Sequence, residues 1–184
     1  MNYKYYKVAR DRAWQTLIET KTDSLPINLK KILNYYKLDI YLLQENDKQA
    51  FIKNDTIFLN KNLIKTRARF TIAHEIGHIL LKHNNLGHTI HTNIGIEEYQ
   101  ANIFARCLLM PAVVLKELNY IEPQDIANIC DVSLQSAEYR SQRLKELIER
   151  DKFYTSYLEQ QVYNNFKNFI QNKKSYWYKI YFIL

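Results

Sequence analysis

Residues that break regular backbone are scarce in this chain, with 3 Gly and 3 Pro in 184 positions. Such scarcity points to a mostly regular, helix-rich backbone with few tight turns. Two cysteines, Cys107 and Cys130, cannot build a disulfide framework, and both lie in apolar, helical text where buried, inert thiols are expected. Apolar stretches such as Tyr176 to Leu184 fall far short of the ~20 residues that cross a bilayer. The opening Met1-Asn2-Tyr3-Lys4 is no apolar leader. A cytoplasmic chain without a membrane segment is the resulting expectation.

What is present fits a folded protein. Hydrophobic residues make up 47% and charged residues 24%, which argues against a disordered chain, a collagen-like chain or a coiled-coil rod. The length suits one domain, or one domain with an appendage. A formal charge of +7, from 26 basic and 19 acidic residues, favours an acidic partner such as nucleic acid, although it serves solubility equally. The surplus is spread over Lys30 and Lys31, Lys61 to Arg69 and Lys167 to Lys179 rather than gathered in one patch.

Residues 5–21 place Val8, Ala9, Ala13, Trp14 and Leu17 at helical intervals. Asn28 can cap a second helix with Leu29, Ile32 and Leu33 inward. Leu38 to Leu43 then reads as a strand, and Ala50 to Ile52 with Thr56 to Leu59 as a hairpin about Lys53-Asn54-Asp55. Helical text runs from Thr66 to Lys82, a polar loop from Asn84 to Asn93, and a second strong helix from Glu97 to Met110, ended by Pro111. Helical stretches at 112–119, 123–130 and 133–150 follow. The Lys152-to-end segment carries Phe166, Phe169 and Ile170 on one side as a docking helix, and Trp177 to Leu184 closes the fold or meets a partner. The expected class is α+β: a small sheet of roughly three strands packed on the site helices within residues 1–118, then an all-helical part over 119–184.

The sharpest signal is His74-Glu75-Ile76-Gly77-His78. Residues four apart on a helix differ by only about 40° around the axis, so the two imidazoles converge on one point and form two arms of a metal site. Glu75, rotated by about 100° from His74, stands beside that point, where its carboxylate can take a proton from water at the metal. Ile72, Ile76, Ile79 and Leu80 occupy the opposite, core-facing side, and Gly77 implies a close neighbour.

A zinc site needs a third protein ligand. On a continued helix His83 points about 140° away from His78 and is misplaced. Leu81 and Asn84 stand where the longer zinc-protease pattern has glycine and a third histidine, which excludes that class. Glu98, Ala101, Asn102 and Ala105 form one stripe on the next helix: an acid to ligate, alanines that permit close approach, and an amide to bond a ligating histidine's outer nitrogen. Glu97, His88 and His91 remain rival donors. For stabilising the reacting oxygen or touching substrate, Tyr99, His83, His88, His91 and Arg106 are the candidates.

The run Arg69-Phe70-Thr71-Ile72-Ala73-His74-Glu75-Ile76-Gly77-His78, followed by Glu98-Tyr99-Gln100-Ala101-Asn102-Ile103-Phe104-Ala105 and Leu108-Leu109-Met110-Pro111, resembles the ImmA/IrrE family of gluzincin-type zinc metallopeptidases. The similarity extends from Leu25 to about Pro111, and more loosely to Arg143. It implies one Zn2+ per chain held by His74, His78 and Glu98, with Glu75 as catalytic base. Gln100 stands where family members often carry a second acid. The resemblance also implies a protein substrate, a helix-turn-helix repressor of the Xre/cI type, whose cleavage or inactivation derepresses a mobile element or a stress response. Because peptide substrates often add to a sheet edge, Thr56 to Asn60 is the expected specificity strand.

Asp125 to Ala137 resembles a helix-turn-helix, with Asp131 in the turn position that usually holds glycine and Arg140, Arg143 and Lys145 downstream. Three packed helices without DNA contact are the favoured reading of this segment. Two competing functions stay open beside the peptidase: a DNA-binding regulator with a vestigial or structural metal site, and a module that inactivates a repressor by binding alone.

Overall fold

The computed structural model describes residues 3–44, 49–83 and 94–181. In order these form α1 (Tyr3–Glu19), α2 (Leu29–Tyr36), β1 (Asp39–Leu43), β2 (Ala50–Lys53), β3 (Thr56–Asn60), α3 (Lys65–Leu80), α4 (Ile94–Leu109), α5 (Ala112–Glu117), α6 (Pro123–Cys130), α7 (Leu134–Glu149) and α8 (Tyr157–Tyr181). The expected α+β class holds, with a small mixed sheet followed by a helical C-terminal part.

The sheet order is β1-β3-β2. A two-residue turn, with Asn54 and Asp55 both at positive φ, keeps β2 antiparallel beside β3. β1 therefore takes the other flank of β3 and pairs with it in parallel. Ile57 and Leu59 of β3 face the core, while Phe51 stacks on Phe58 across the hairpin with ring centroids 4.9 Å apart. Thr56 to Asn60 is thus the central strand and cannot be the substrate edge. Among the described strands the edges are β1 and β2, and the residue just before β2 is tied to α3, through Arg67 Nε donating to Gln49 Oε1 at 2.7 Å.

α3 and α4 pack against each other as the centre of the molecule. Ala73 and Ile76 on α3 and Ala101, Phe104, Ala105 and Leu108 on α4 are fully buried. Gly77 is required by this contact, because a Cβ there would lie 3.0 Å from Cδ1 of Phe104. Ile72, Ile79 and Leu80 pack on the core only partly buried, so the buried stripe of α3 is centred on its small residues, where α4 comes closest.

Tight helix ends are formed without glycine. Lys21, Lys37, Lys82, Asn119, Asp131 and Asp151 all adopt positive φ just after a helix. In each case the following N–H reaches back to a carbonyl of the last turn, as in Leu38 N to Leu33 O and His83 N to His78 O. The scarcity of glycine therefore does not mean few turns: Lys, Asn and Asp occupy left-handed positions, at a cost of about 1 kcal/mol each.

The C-terminal helices share one core with the front half. Ile126, Cys130, Ala137 and Leu144 of α6 and α7 and Phe166 and Ile170 of α8 belong to the same buried cluster as Leu17 and Phe104. The α6–α7 turn is fastened to α3 by Arg69, which donates to the backbone carbonyls of Ile27 at 3.0 Å and Asp131 at 3.1 Å, while Lys65 pairs with the Asp131 carboxylate at 2.7 Å. α8 is tied by Asn165 Nδ2 to Leu17 O at 3.2 Å and by Lys174 to Glu117 at 3.3 Å. No helix among the described residues is long and apolar enough to cross a membrane.

Candidate metal centre

Three donors from two helices meet where the last turns of α3 face the first turns of α4. His74 Nε2 lies 3.0 Å from His78 Nε2, Glu98 Oε2 lies 3.2 Å from His74 Nε2, and Glu98 Oε1 lies 3.3 Å from His78 Nε2. His78 is buried and His74 nearly so, whereas Glu98 is half exposed, so the corner opens to solvent on its side. Among the described residues these three form the group of ligating atoms close enough to hold one cation. Glu97, the rival acid on α4, is not part of it, and His88 and His91 lie outside the described residues.

Both imidazoles are held neutral. Burial pushes His78 down to about 3, helped by His74 and His83 beside it. Burial also lowers His74, against the opposing pull of Glu98 and a side-chain hydrogen bond from its ring to Asn102. Asn102 Nδ2 in turn donates to the Glu98 carbonyl at 2.8 Å, so one amide steadies a ligand on each helix. Two neutral nitrogens and a carboxylate crowded within hydrogen-bond distance present lone pairs to a shared point, which suits a borderline divalent metal such as zinc. The donor set therefore fits the ion that the sequence implies.

Glu75 stands next to this corner without joining the ligand group. Burial and the neighbouring Glu98 charge push its carboxyl up to about 7, in the range where a carboxylate exchanges protons at neutral pH.

His83 takes a position that continued-helix geometry does not give. α3 ends at Leu80, Lys82 turns left-handed, and His83 N returns to His78 O at 3.0 Å. The imidazole folds back so that His83 Nδ1 lies 3.0 Å from His78 Nδ1 and His83 Nε2 lies 3.3 Å from Gln100 Oε1. Gln100 Nε2 donates to Tyr5 O at 3.4 Å, which orients its amide oxygen toward His83. Proton positions along this chain are then determined. His83 Nε2–H donates to Gln100 Oε1, His78 Nδ1–H donates to His83 Nδ1, and His78 Nε2 is left with a lone pair aimed at the ligand corner. Sequence reasoning named neither this relay nor Gln100 as part of it. The left-handed turn at Lys82 carried no glycine to announce it.

Tyr99 and Arg106, the other candidates for contacting the reacting oxygen or the substrate, line a separate cavity on the adjacent face of α4 whose lining includes none of the three ligands. Arg140 is 5% exposed and donates to Arg106 O at 2.7 Å, and Arg143 pairs with Glu146 at 2.6 Å. Of the basic residues that would read DNA on a helix-turn-helix, Arg140 therefore faces the protein, whereas Arg143 is part-exposed and Lys145 is exposed and pairs with Glu122 at 3.1 Å. Cys107 and Cys130 are free and buried, and burial pushes the Cys130 thiol up to about 12.

A two-histidine, one-glutamate corner on paired helices beside a small mixed sheet is a candidate metal centre. The family model described as the IrrE N-terminal-like domain of the M78 peptidases matches residues 34–142. That is more than half of the chain, and the chain belongs to this peptidase family. Among curated proteins none matches it.

Proposed function

We propose that this protein is a zinc-dependent endopeptidase with a narrow protein substrate, a helix-turn-helix repressor of the Xre/cI type whose hydrolysis derepresses a mobile element or a stress response. The observation that carries the reading is the meeting of His74 Nε2, His78 Nε2 and a Glu98 carboxylate at 3.0 to 3.3 Å, with the carboxyl of Glu75 alongside. A zinc ion held there supplies Lewis-acid polarisation of a carbonyl and acidifies water.

The chain's own residues do the rest. Glu98 closes the ligand set from α4. The relay through His83 and Gln100 fixes the tautomer of His78, and Asn102 braces His74 and Glu98. Glu75 accepts a proton from the attacking water on its carboxylate and returns it to the leaving amine nitrogen. Beside α3, β2 (Ala50–Lys53) is the described edge strand along which an extended peptide can pair.

Metal analysis after dialysis, paired with a cleavage assay on the cognate repressor, tests the proposal. Glu98→Gln is expected to lose most bound zinc, whereas Glu75→Gln keeps zinc and loses cleavage. Equal zinc in wild type and Glu98→Gln overturns the ligand set. Cleavage undiminished in Glu75→Gln overturns the hydrolytic role, and derepression that survives Glu75→Gln without cleavage transfers the function to binding alone.

A further inference from the structure

On α4, Tyr99, Ile103, Arg106 and Cys107 form the stripe next to the one that bears Glu98. With the start of α1 and the middle of α7 they enclose a cavity of about 390 Å³. Its lining holds three guanidinium groups, Arg106, Arg140 and Arg143, and aromatic faces including Tyr6, Tyr99 and Tyr139, with no carboxylate among the lining residues.

The charges in this cavity are not balanced by the protein. Glu146 accepts from Arg143 Nη1 at 2.6 Å and is the acid that meets this group. Arg140, 5% exposed, has one terminal nitrogen on the Arg106 carbonyl at 2.7 Å, while its Nε and that of Arg143 are buried with no acceptor. Arg106 is disfavoured as a cation by burial and then by Arg140 beside it. Buried donors without acceptors and like charges held together are both costly, and a fold that keeps them has a place for an anion.

The size of the imbalance indicates which anion. Three guanidinium charges less one carboxylate leave a surplus that a phosphomonoester, with ≈ −1.5 to −2 charges near neutral pH, would neutralise. Two rings already serve as stacking platforms, with the Arg106 guanidinium 4.9 Å from the Tyr139 centroid and that of Arg143 5.3 Å from the Tyr6 centroid. The volume lies in the range of small-molecule sites and suits a phosphate joined to one flat ring system.

We propose that this cavity binds a small organic phosphate of mononucleotide size, its phosphate on Arg106, Arg140 and Arg143 and its ring against the tyrosines. The site is independent of the peptidase reading, since it contains no group assigned to the metal corner.

Calorimetric titration of the full chain with adenosine 5′-monophosphate, adenosine and inorganic phosphate at low salt tests the assignment. Saturable binding of the monophosphate below about 1 mM is expected, with adenosine and phosphate each at least about tenfold weaker. Arg106→Gln and Arg143→Gln should each weaken it about tenfold or more with zinc content unchanged, and the half-exposed Arg143 keeps the test open if the Arg106 variant fails to fold. The proposal is overturned by no saturation by the monophosphate, by adenosine binding as tightly as the monophosphate, or by wild-type affinity in a folded Arg143→Gln variant. Inorganic phosphate binding as tightly as the monophosphate also overturns it, because the flat ring then plays no part.

Discussion

The two ends of α3 both use polar side chains to meet another part of the chain, and they do so in opposite ways. At the N-terminal end Arg69 and Lys65 hold the α6–α7 turn, and the Arg69 guanidinium is directed at carbonyls of Ile27, Cys130 and Asp131 and at the Asp131 carboxylate. Donors there meet acceptors, and the contact is complete without a ligand. At the C-terminal end His74, His78 and Glu98 bring more acceptors to one point than the ring protons can serve, an arrangement that a cation between them would complete. Unspent valence, rather than polarity or burial as such, separates a site from a structural fastening. The arginine cavity beside α4 shows the same signature with the sign reversed.

Removing the fastening should have the largest effect on stability. Arg69→Ala leaves buried carbonyls without a donor and is expected to cost about 3 kcal/mol, seen as a lowered midpoint in urea unfolding. Lys65→Ala, at a side chain 78% exposed, should change the midpoint little. If the two variants fall together, the fastening is not where the difference between the ends lies.

The relay should come next. His83→Ala removes the acceptor of His78 Nδ1–H and is expected to weaken zinc binding about 10- to 100-fold, measured by chelator competition, with urea stability of the metal-free chain nearly unchanged. Nitrogen NMR of the metal-free protein should report His78 protonated at Nδ1 in wild type and a mixture of tautomers in the variant. Equal zinc affinities would reduce His83 to a packing residue.

The smallest effect concerns pH. In the metal-free fold Glu75 is raised to about 7 from an ordinary 4.5. The folded state therefore holds that proton more tightly than the unfolded chain, and the resulting stability is complete below pH 4.5 and lost as pH rises through about 7. Glu75→Gln removes this dependence, so the melting temperature of the variant minus that of wild type should grow between pH 5 and pH 8, by on the order of 5 °C. A flat difference would place the Glu75 carboxyl in water rather than against Glu98.

Much of this was legible in the sequence because local spacing controls it. The interval from His74 to His78 puts two imidazoles on one helix face, and the stripe through Glu98 and Asn102 puts an acid and an amide on the facing one. Gly77 announced the contact that Phe104 makes. What spacing could not give was set by chain reversals. His83 depends on the left-handed turn at Lys82, and the place of β3 at the sheet centre depends on which flank β1 chooses. In the sequence Arg140 is only a basic residue downstream of the helix-turn-helix-like segment, and it lies inside because α7 turns that face toward α4. Helix periodicity gives the angle of a side chain about its own axis but not what another helix places opposite it.

The relay that sets His78 terminates on the main-chain oxygen of Tyr5, which no side-chain substitution at that position can delete. α1 contributes no ligand, yet its placement decides where the hydrogen on His78 resides. Sliding that helix along α4 would uncouple Gln100, free both ring forms of the histidine and loosen the grip on the cation. If the proposed metal occupies this corner, its affinity would be partly a mechanical property, a gauge of how firmly the first helix is seated.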